Sequence, residues 1–166
     1  MRLFRGGAVW VTDIIAGFLR RAQLLGAEAR LIPRSQVGEA VPAGAGATAS
    51  ARAWLGCDRP PAARLQSEVV VLGQVGVAET GSVVIVEPTD DRACCLLAEH
   101  LVVVLPQERL IPTLPEALAA AHSLAAAVRA PVLLLSGPSR TGDIERVLTI
   151  GVHGPAALTI LVVCDE

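Results

Sequence analysis

Four continuous apolar runs constrain the fold of this chain more than any other feature of its sequence. They read V-V-V-L at 69–72, L-V-V-V-L at 101–105, V-L-L-L at 132–135 and L-T-I-L-V-V at 158–163. A strand with one solvated face alternates apolar and polar residues, whereas these runs scarcely alternate. Each run is therefore predicted to be a buried strand in a sheet that is covered on both faces.

Helical patterns lie between the predicted strands. Apolar residues recur at helical spacing over about 8–25 and again from Thr113, which is expected to be an N-cap, to just before Pro131. Shorter helices are predicted around 50–55 and from Asp90 to Leu97. This alternation of strands and helices predicts a three-layer α/β sandwich with a mostly parallel sheet.

Two connecting segments modify that picture. The residues E-T-G at 79–81 separate two apolar stretches and predict a hairpin turn, and therefore one antiparallel element. Residues 38–52 are rich in Gly, Ala, Ser and Thr and are predicted to be a loop. Further strands are expected at 28–32, 82–87 and 147–150. The pattern contains no repeat, and a single domain over residues 1–166 is expected.

Composition excludes several classes of protein. The chain is 52% hydrophobic and 18% charged, which does not fit a disordered polypeptide. A net charge of −2 and 2% aromatic residues argue against binding of nucleic acid. No apolar run approaches the ~18 residues that a membrane span needs, and Asp13 interrupts the apolar stretch near the N-terminus. A cytoplasmic location without a membrane span is therefore expected.

The cysteines do not form a metal-binding pattern. The chain has four of them, Cys57, Cys94, Cys95 and Cys164, and none has C-x-x-C spacing. The geometry of a helix or strand sends the side chains of adjacent cysteines such as Cys94 and Cys95 apart. We expect free thiols, no metal ligands and no cofactor bound by this chain.

The segment S-G-P-S-R-T-G-D-I-E at 136–145 is the strongest candidate for a binding site. It follows a predicted strand, and ligands of open α/β sheets bind where strands end. Gly137 allows close approach of the backbone, and Ser139, Arg140 and Thr141 offer donors for a carboxylate or phosphate. Neither nucleotide-binding glycine motif is present. From composition alone, the segment is either an anion-binding loop or a strand-to-helix turn with hydroxyl caps.

Four other residues have both a functional and a structural interpretation. Glu79 enters a strand beside a turn, so it is either a catalytic carboxylate or an exposed turn residue. His153 lies between glycines and is either a titrating ligand contact or a structural histidine. Asp143 and Glu145 are two apart, and Asp143 is expected to complement a helix dipole rather than to perform acid–base chemistry.

Three segments resemble a known family, and we call them the signature segments. They are V-G-V-A-E-T-G-S-V-V-I at 75–85, L-S-G-P-S-R-T-G-D-I-E at 135–145 and L-T-I-G-V-H-G-P at 148–155. Together they resemble the LUD-domain family, specifically its lactate utilization protein C branch. The resemblance covers about residues 70–163. It implies a fold similar to that of the sugar-phosphate isomerase and CoA-transferase superfamily.

The resemblance also implies a function. It points to a component of an iron–sulfur-dependent system that oxidises L-lactate to pyruvate, with the clusters on partner proteins. The candidate site residues are Glu79 as a catalytic carboxylate, and Gly137, Ser139, Arg140, Thr141 and His153 as contacts to a small carboxylate or phosphate. Two alternatives remain open at this point. In the first, the chain is a stand-alone enzyme of isomerase or transferase type. In the second, it is a regulatory module that binds a small acid.

Overall fold

A computed structural model describes residues 8–64, 66–142, 148–150 and 154–165. The helices in these ranges are α1 (Ala8–Leu24), α2 (Val37–Ala40), α3 (Ala49–Leu55), α4 (Thr89–Leu97) and α5 (Leu114–Val128). The strands are β1 (Glu28–Pro33), β2 (Gly46–Ala47), β3 (Glu68–Leu72), β4 (Val75–Val77), β5 (Ser82–Val86), β6 (His100–Pro106), β7 (Leu110–Ile111), β8 (Val132–Leu135), β9 (Arg140–Gly142), β10 (Leu148–Ile150) and β11 (Ala157–Cys164).

The central sheet is parallel throughout, with the strand order β1-β11-β6-β3-β2. Three of the four apolar runs form its inner strands β3, β6 and β11, as predicted. Alternate residues of these strands enter two separate apolar clusters, one on each face of the sheet. Phe18 of α1 and Cys95 of α4 belong to one cluster, and Val37 of α2 and Ala51 of α3 to the other. The mostly parallel α/β architecture is therefore confirmed.

A second sheet contains the predicted hairpin. Its strand order is β7-β4-β5-β8, and β4 and β5 are antiparallel around the turn at 79–81. The helix α5 covers the outer face of this sheet through Ala117 and Ala121. The run at 132–135, predicted to be a fourth buried strand, is β8 at the edge of this sheet. Val132 and Leu134 are exposed at this edge, where β5 is the one partner of β8 among the described strands.

The segment 38–52 is more ordered than a loop. It contains the end of α2, the strand β2 and the beginning of α3. Its small apolar residues Ala45, Ala47 and Ala51 are buried against the central sheet. Composition alone predicted a loop because alanine and glycine carry no strong apolar periodicity. Their small size is what allows these short elements to pack closely.

None of the helices in the described part of the chain combines the length and the apolar character needed to cross a bilayer.

Candidate functional site

Two glycines of the signature segments lie directly against the carboxyl-terminal end of α1. Gly81 has a φ of 72°, and a Cβ atom added there would overlap the backbone nitrogen of Ala22 and lie 2.7 Å from the carbonyl carbon of Arg21. Gly137 has a φ of 86°, and its Cβ would lie 2.5 Å from the carbonyl oxygen of Leu25. Both positions therefore require glycine for backbone conformation and for close packing.

Hydroxyl groups connect the first signature segment to the second. The Thr80 hydroxyl lies 2.9 Å from the Ser82 hydroxyl and donates to it, and the Ser82 hydroxyl lies 2.7 Å from that of Ser136. Because Ser82 is buried, these bonds satisfy a side chain that otherwise costs free energy to bury. The chain of hydroxyls joins the hairpin turn to the end of β8.

The second signature segment also contacts the third. The backbone nitrogen of Ser139 donates to the carbonyl oxygen of Pro155 across 2.8 Å. The Arg140 guanidinium covers Gly26, where an added Cβ would overlap it. The three signature segments therefore meet around the end of α1, which their spacing along the sequence did not show.

A pocket opens at this meeting point, with a volume of about 430 Å³. It is lined by one apolar wall and one polar rim. The lining residues are Leu25, Leu96, Leu133, Leu134, Leu135, Ser136, Gly137, Pro138, Ser139, Arg140, Gly154 and Pro155. We call it the signature pocket.

The structure brings three of the predicted ligand-binding residues together in the signature pocket. Gly137, Ser139 and Arg140 all line it. The side chain of Thr141, like His153, Asp143 and Glu145, lies outside what the structure describes. The strand-to-helix turn predicted as an alternative for 136–145 is wrong over its middle part. Residues 140–142 form β9, which pairs antiparallel with β10.

The polar rim of the pocket suits a small acid. Arg140 is exposed and forms no salt bridge with any residue that the structure describes. Its planar guanidinium can donate two parallel hydrogen bonds to a carboxylate. The hydroxyls of Ser136 and Ser139 add donors, and the leucine side chains supply an apolar wall. This arrangement can bind and orient a small carboxylate that has an apolar face.

Comparison with known proteins identifies the family. A family model described as the LUD domain matches residues 65–163, which include most of the pocket lining. The chain belongs to the LUD-domain family. Lactate utilization protein C of Deinococcus radiodurans is 33% identical over 114 residues, covering 64% of this chain and 52% of that protein. Lactate utilization protein C 1 of Bacillus mycoides is 32% identical over 101 residues, covering 58% and 43%.

Other matches agree with this family. The protein YkgG of Escherichia coli is 33% identical over 100 residues, covering 58% of this chain and 43% of that protein. A crystal structure of a DUF162 family protein from Deinococcus radiodurans superposes with a TM-score of 0.66 at 20% identity, covering 93% of this chain and 98% of that chain. That likeness shows the fold. The chain spans about half the length of the curated relatives that it matches.

Glu79 has a structural role in this LUD domain. Its carboxylate accepts a hydrogen bond of 2.9 Å from the backbone nitrogen of Leu114, the first residue of α5. Thr113 occupies the N-cap position, as predicted, but its side chain forms no capping bond. Glu79 therefore satisfies an N–H group that the helix leaves free. It is exposed and does not line the signature pocket, and its catalytic role stays a prediction.

One buried carboxyl group was not predicted from the sequence as a site residue, and it does not line the signature pocket. Glu87 follows β5 directly and is 2% exposed. It accepts hydrogen bonds from the hydroxyls of Thr48, at 2.9 Å, and Ser50. Burial raises the pKa of Glu87, the two hydroxyl bonds lower it, and Asp91 raises it further. The sequence signal was available, because an acid follows an unbroken apolar strand in S-V-V-I-V-E.

Replacement of Glu87 by glutamine is expected to change how stability depends on pH. The folded pKa lies above the ordinary value of 4.5, so the folded state holds this proton more tightly than the unfolded state. Glu87 therefore stabilises the wild type most below about pH 4.5, and this contribution is lost as the pH rises through the raised pKa. As the pH rises from about 4.5 through the raised pKa, the free energy of unfolding of the wild type should therefore fall relative to that of Glu87→Gln.

Urea unfolding at several pH values between 4 and 8 measures this difference. The same substitution at the exposed Glu99 is the matched control, and it should not reproduce the effect. A constant difference between wild type and Glu87→Gln across the window would show that Glu87 titrates alike in both states.

The cysteines of this LUD domain do not assemble a metal site in the part that the structure describes. No group of three or more His, Cys, Asp or Glu side chains there is arranged to hold a metal ion. Cys94 and Cys95 are buried in α4, and Cys57 is exposed. Burial raises the pKa of both α4 thiols, and neighbouring carboxylates add to that shift.

Proposed function

We propose that this LUD domain is a component of a lactate utilization system that oxidises L-lactate to pyruvate. The observation that carries the proposal is the match of residues 65–163 to the LUD domain, together with relatives that bear the name lactate utilization protein C. The domain's part would be to bind and orient the small acid. Iron–sulfur proteins would be its partners.

The signature pocket supports this assignment. Lactate has a carboxylate, a hydroxyl and one methyl group. The Arg140 guanidinium suits the carboxylate, the Ser136 or Ser139 hydroxyl suits the lactate hydroxyl, and the leucine wall suits the methyl group. Because an arginine fork matches a planar carboxylate, it would fix the acid's orientation as well as its charge.

The redox step would take place with partner proteins. Oxidation of lactate to pyruvate removes two electrons and two protons, and iron–sulfur clusters on the partners would accept the electrons. The described pocket lining consists of hydroxyls, an arginine and apolar groups. These groups can hold a substrate, whereas none of them is a redox centre.

Arg140→Ala is expected to weaken the binding of lactate by about tenfold to a hundredfold, because a charge-assisted bond contributes about 1.5–3 kcal/mol. Calorimetric titration with L-lactate and with inorganic phosphate measures the affinity. Arg30→Ala is the matched control, since Arg30 lies on β1 and pairs with Glu28. Unchanged lactate affinity in Arg140→Ala would remove Arg140 from the site.

Reconstitution separates the proposed function from its alternatives. Candidate iron–sulfur partners are co-purified, and lactate-dependent dye reduction is measured with and without this chain. The proposal expects reduction only when the chain is present, and less of it with Arg140→Ala. Turnover of a sugar phosphate or acyl-CoA by the chain alone would favour an isomerase or transferase. Lactate binding without any effect on dye reduction would favour a regulatory module.

A further inference from the structure

A second cavity lies on the opposite face of the central sheet, between α2 and α3. Its volume is about 160 Å³, and it is lined by Arg34, Val37, Gly38, Val41, Trp54, Leu55, Cys57 and Arg59. It shares no lining residue with the signature pocket. We call it the α2–α3 pocket.

The two arginines of this pocket are held in place by the protein. The Arg34 guanidinium lies 4.3 Å from the centre of the Trp54 ring and donates to the Trp54 carbonyl oxygen across 3.2 Å. Arg59 donates to the carbonyl oxygens of Pro42, at 2.8 Å, and Val41, at 3.4 Å. Because a guanidinium has five N–H donors, each arginine keeps donors beyond these bonds.

Among the residues that the structure describes, no acidic side chain lines the cavity to balance these charges. Neither Arg34 nor Arg59 forms a salt bridge with a residue in the described ranges. The remaining wall is apolar, since it consists largely of Val37, Val41 and Leu55. Two positive groups beside an apolar cavity match a ligand with one anionic end and one apolar end.

The size of the cavity limits the ligand. A cavity of about 150 Å³ lined by apolar side chains accommodates benzene, and the α2–α3 pocket has about 160 Å³. We propose that the α2–α3 pocket binds a small carboxylate whose apolar part is about the size of a benzene ring. The site goes beyond lactate utilization, because lactate leaves most of this apolar wall uncovered.

A larger side chain at Gly38 is expected to occupy the cavity without displacing the residues that line it. A Cβ added at Gly38 meets no atom within 4 Å, and the residue lies in α2, where leucine is a better helix former than glycine. Gly38→Leu should therefore fold and fill the pocket. Gly44→Leu is the matched control, because Gly44 is equally open and does not line the cavity.

The test is an NMR titration of the whole chain with benzoate, with benzamide as a neutral control of the same size. We expect saturable shifts of the Trp54 indole N–H and the Gly38 amide with benzoate, at least about tenfold tighter than with benzamide. Gly38→Leu should abolish these shifts, and Gly44→Leu should keep them. Arg34→Gln and Arg59→Gln should each weaken binding by about tenfold, whereas Arg30→Gln should not.

Several results would overturn the proposal. They are equal binding of benzamide and benzoate, unchanged benzoate binding in Gly38→Leu, and the absence of saturable shifts at these residues. Arg140→Ala distinguishes the two pockets, since it should weaken lactate binding and leave the benzoate shifts of Trp54 intact. Loss of those shifts in Arg140→Ala would place the benzoate in the signature pocket instead.

Discussion

Gly81→Ala is expected to lower the free energy of unfolding by about 2–5 kcal/mol. Two costs add at this position. An L-residue in the left-handed region costs about 1–2 kcal/mol, and overpacking costs about 1–3 kcal/mol. The overpacking arises because the new methyl group would meet the backbone of α1 at Arg21 and Ala22 rather than a side chain that can move.

Gly56→Ala separates these two costs. Gly56 also has a positive φ, of 64°, but an added Cβ there meets no atom within 4 Å. It should therefore show the conformational cost alone, about 1–2 kcal/mol. Urea unfolding of both variants measures the difference. Equal losses in the two variants would mean that α1 does not lie as close to the hairpin turn as the structure places it.

The second large effect is expected at Thr48, which is completely buried. Its hydroxyl accepts from the backbone nitrogen of Ala51 at the start of α3 and donates to Glu87. Valine has nearly the same shape and lacks the hydroxyl. Loss of the cap costs about 1 kcal/mol, and loss of a bond to a buried acid costs a similar amount or more. Thr48→Val should therefore lose about 2–3 kcal/mol.

Thr48→Ser provides the control, because it keeps the hydroxyl and removes one methyl group. Its expected loss is about 1 kcal/mol, the value of one buried methylene-sized group. Thermal or urea unfolding measures both variants. If serine proved as costly as valine, packing of the methyl group rather than hydrogen bonding would be what Thr48 contributes.

The signature segments have two roles in this interpretation. Gly81 and Gly137 allow the turn at 79–81 and the end of β8 to touch α1, and the Thr80–Ser82–Ser136 hydroxyls join them. These contacts hold the rim on which Arg140 and Ser139 lie. The proposed ligand site therefore depends on packing that a binding measurement alone does not reveal. Stability and lactate affinity need to be measured on the same variants.

Local pattern predicted most elements of this fold. The apolar runs at 69–72, 101–105 and 158–163 are buried strands, and the turn at 79–81 is a hairpin. These predictions rest on side-chain periodicity and on turn residues, which act over a few positions along the chain. The run at 132–135 shows the limit of the method. Its composition is that of a buried strand, but its position at the edge of the second sheet leaves it half exposed.

The sequence by itself determined the α/β class, the positions of the three inner strands of the central sheet and of the turn at 79–81, and three of the residues that line the signature pocket. Only the tertiary structure decided that Glu79 caps α5, that Glu87 lies buried beneath Thr48 and Ser50, and that Arg34 and Arg59 face one cavity. The physical reason is the separation along the chain. Thr48 and Glu87 are 39 residues apart, and no local pattern records which distant groups a sheet brings together.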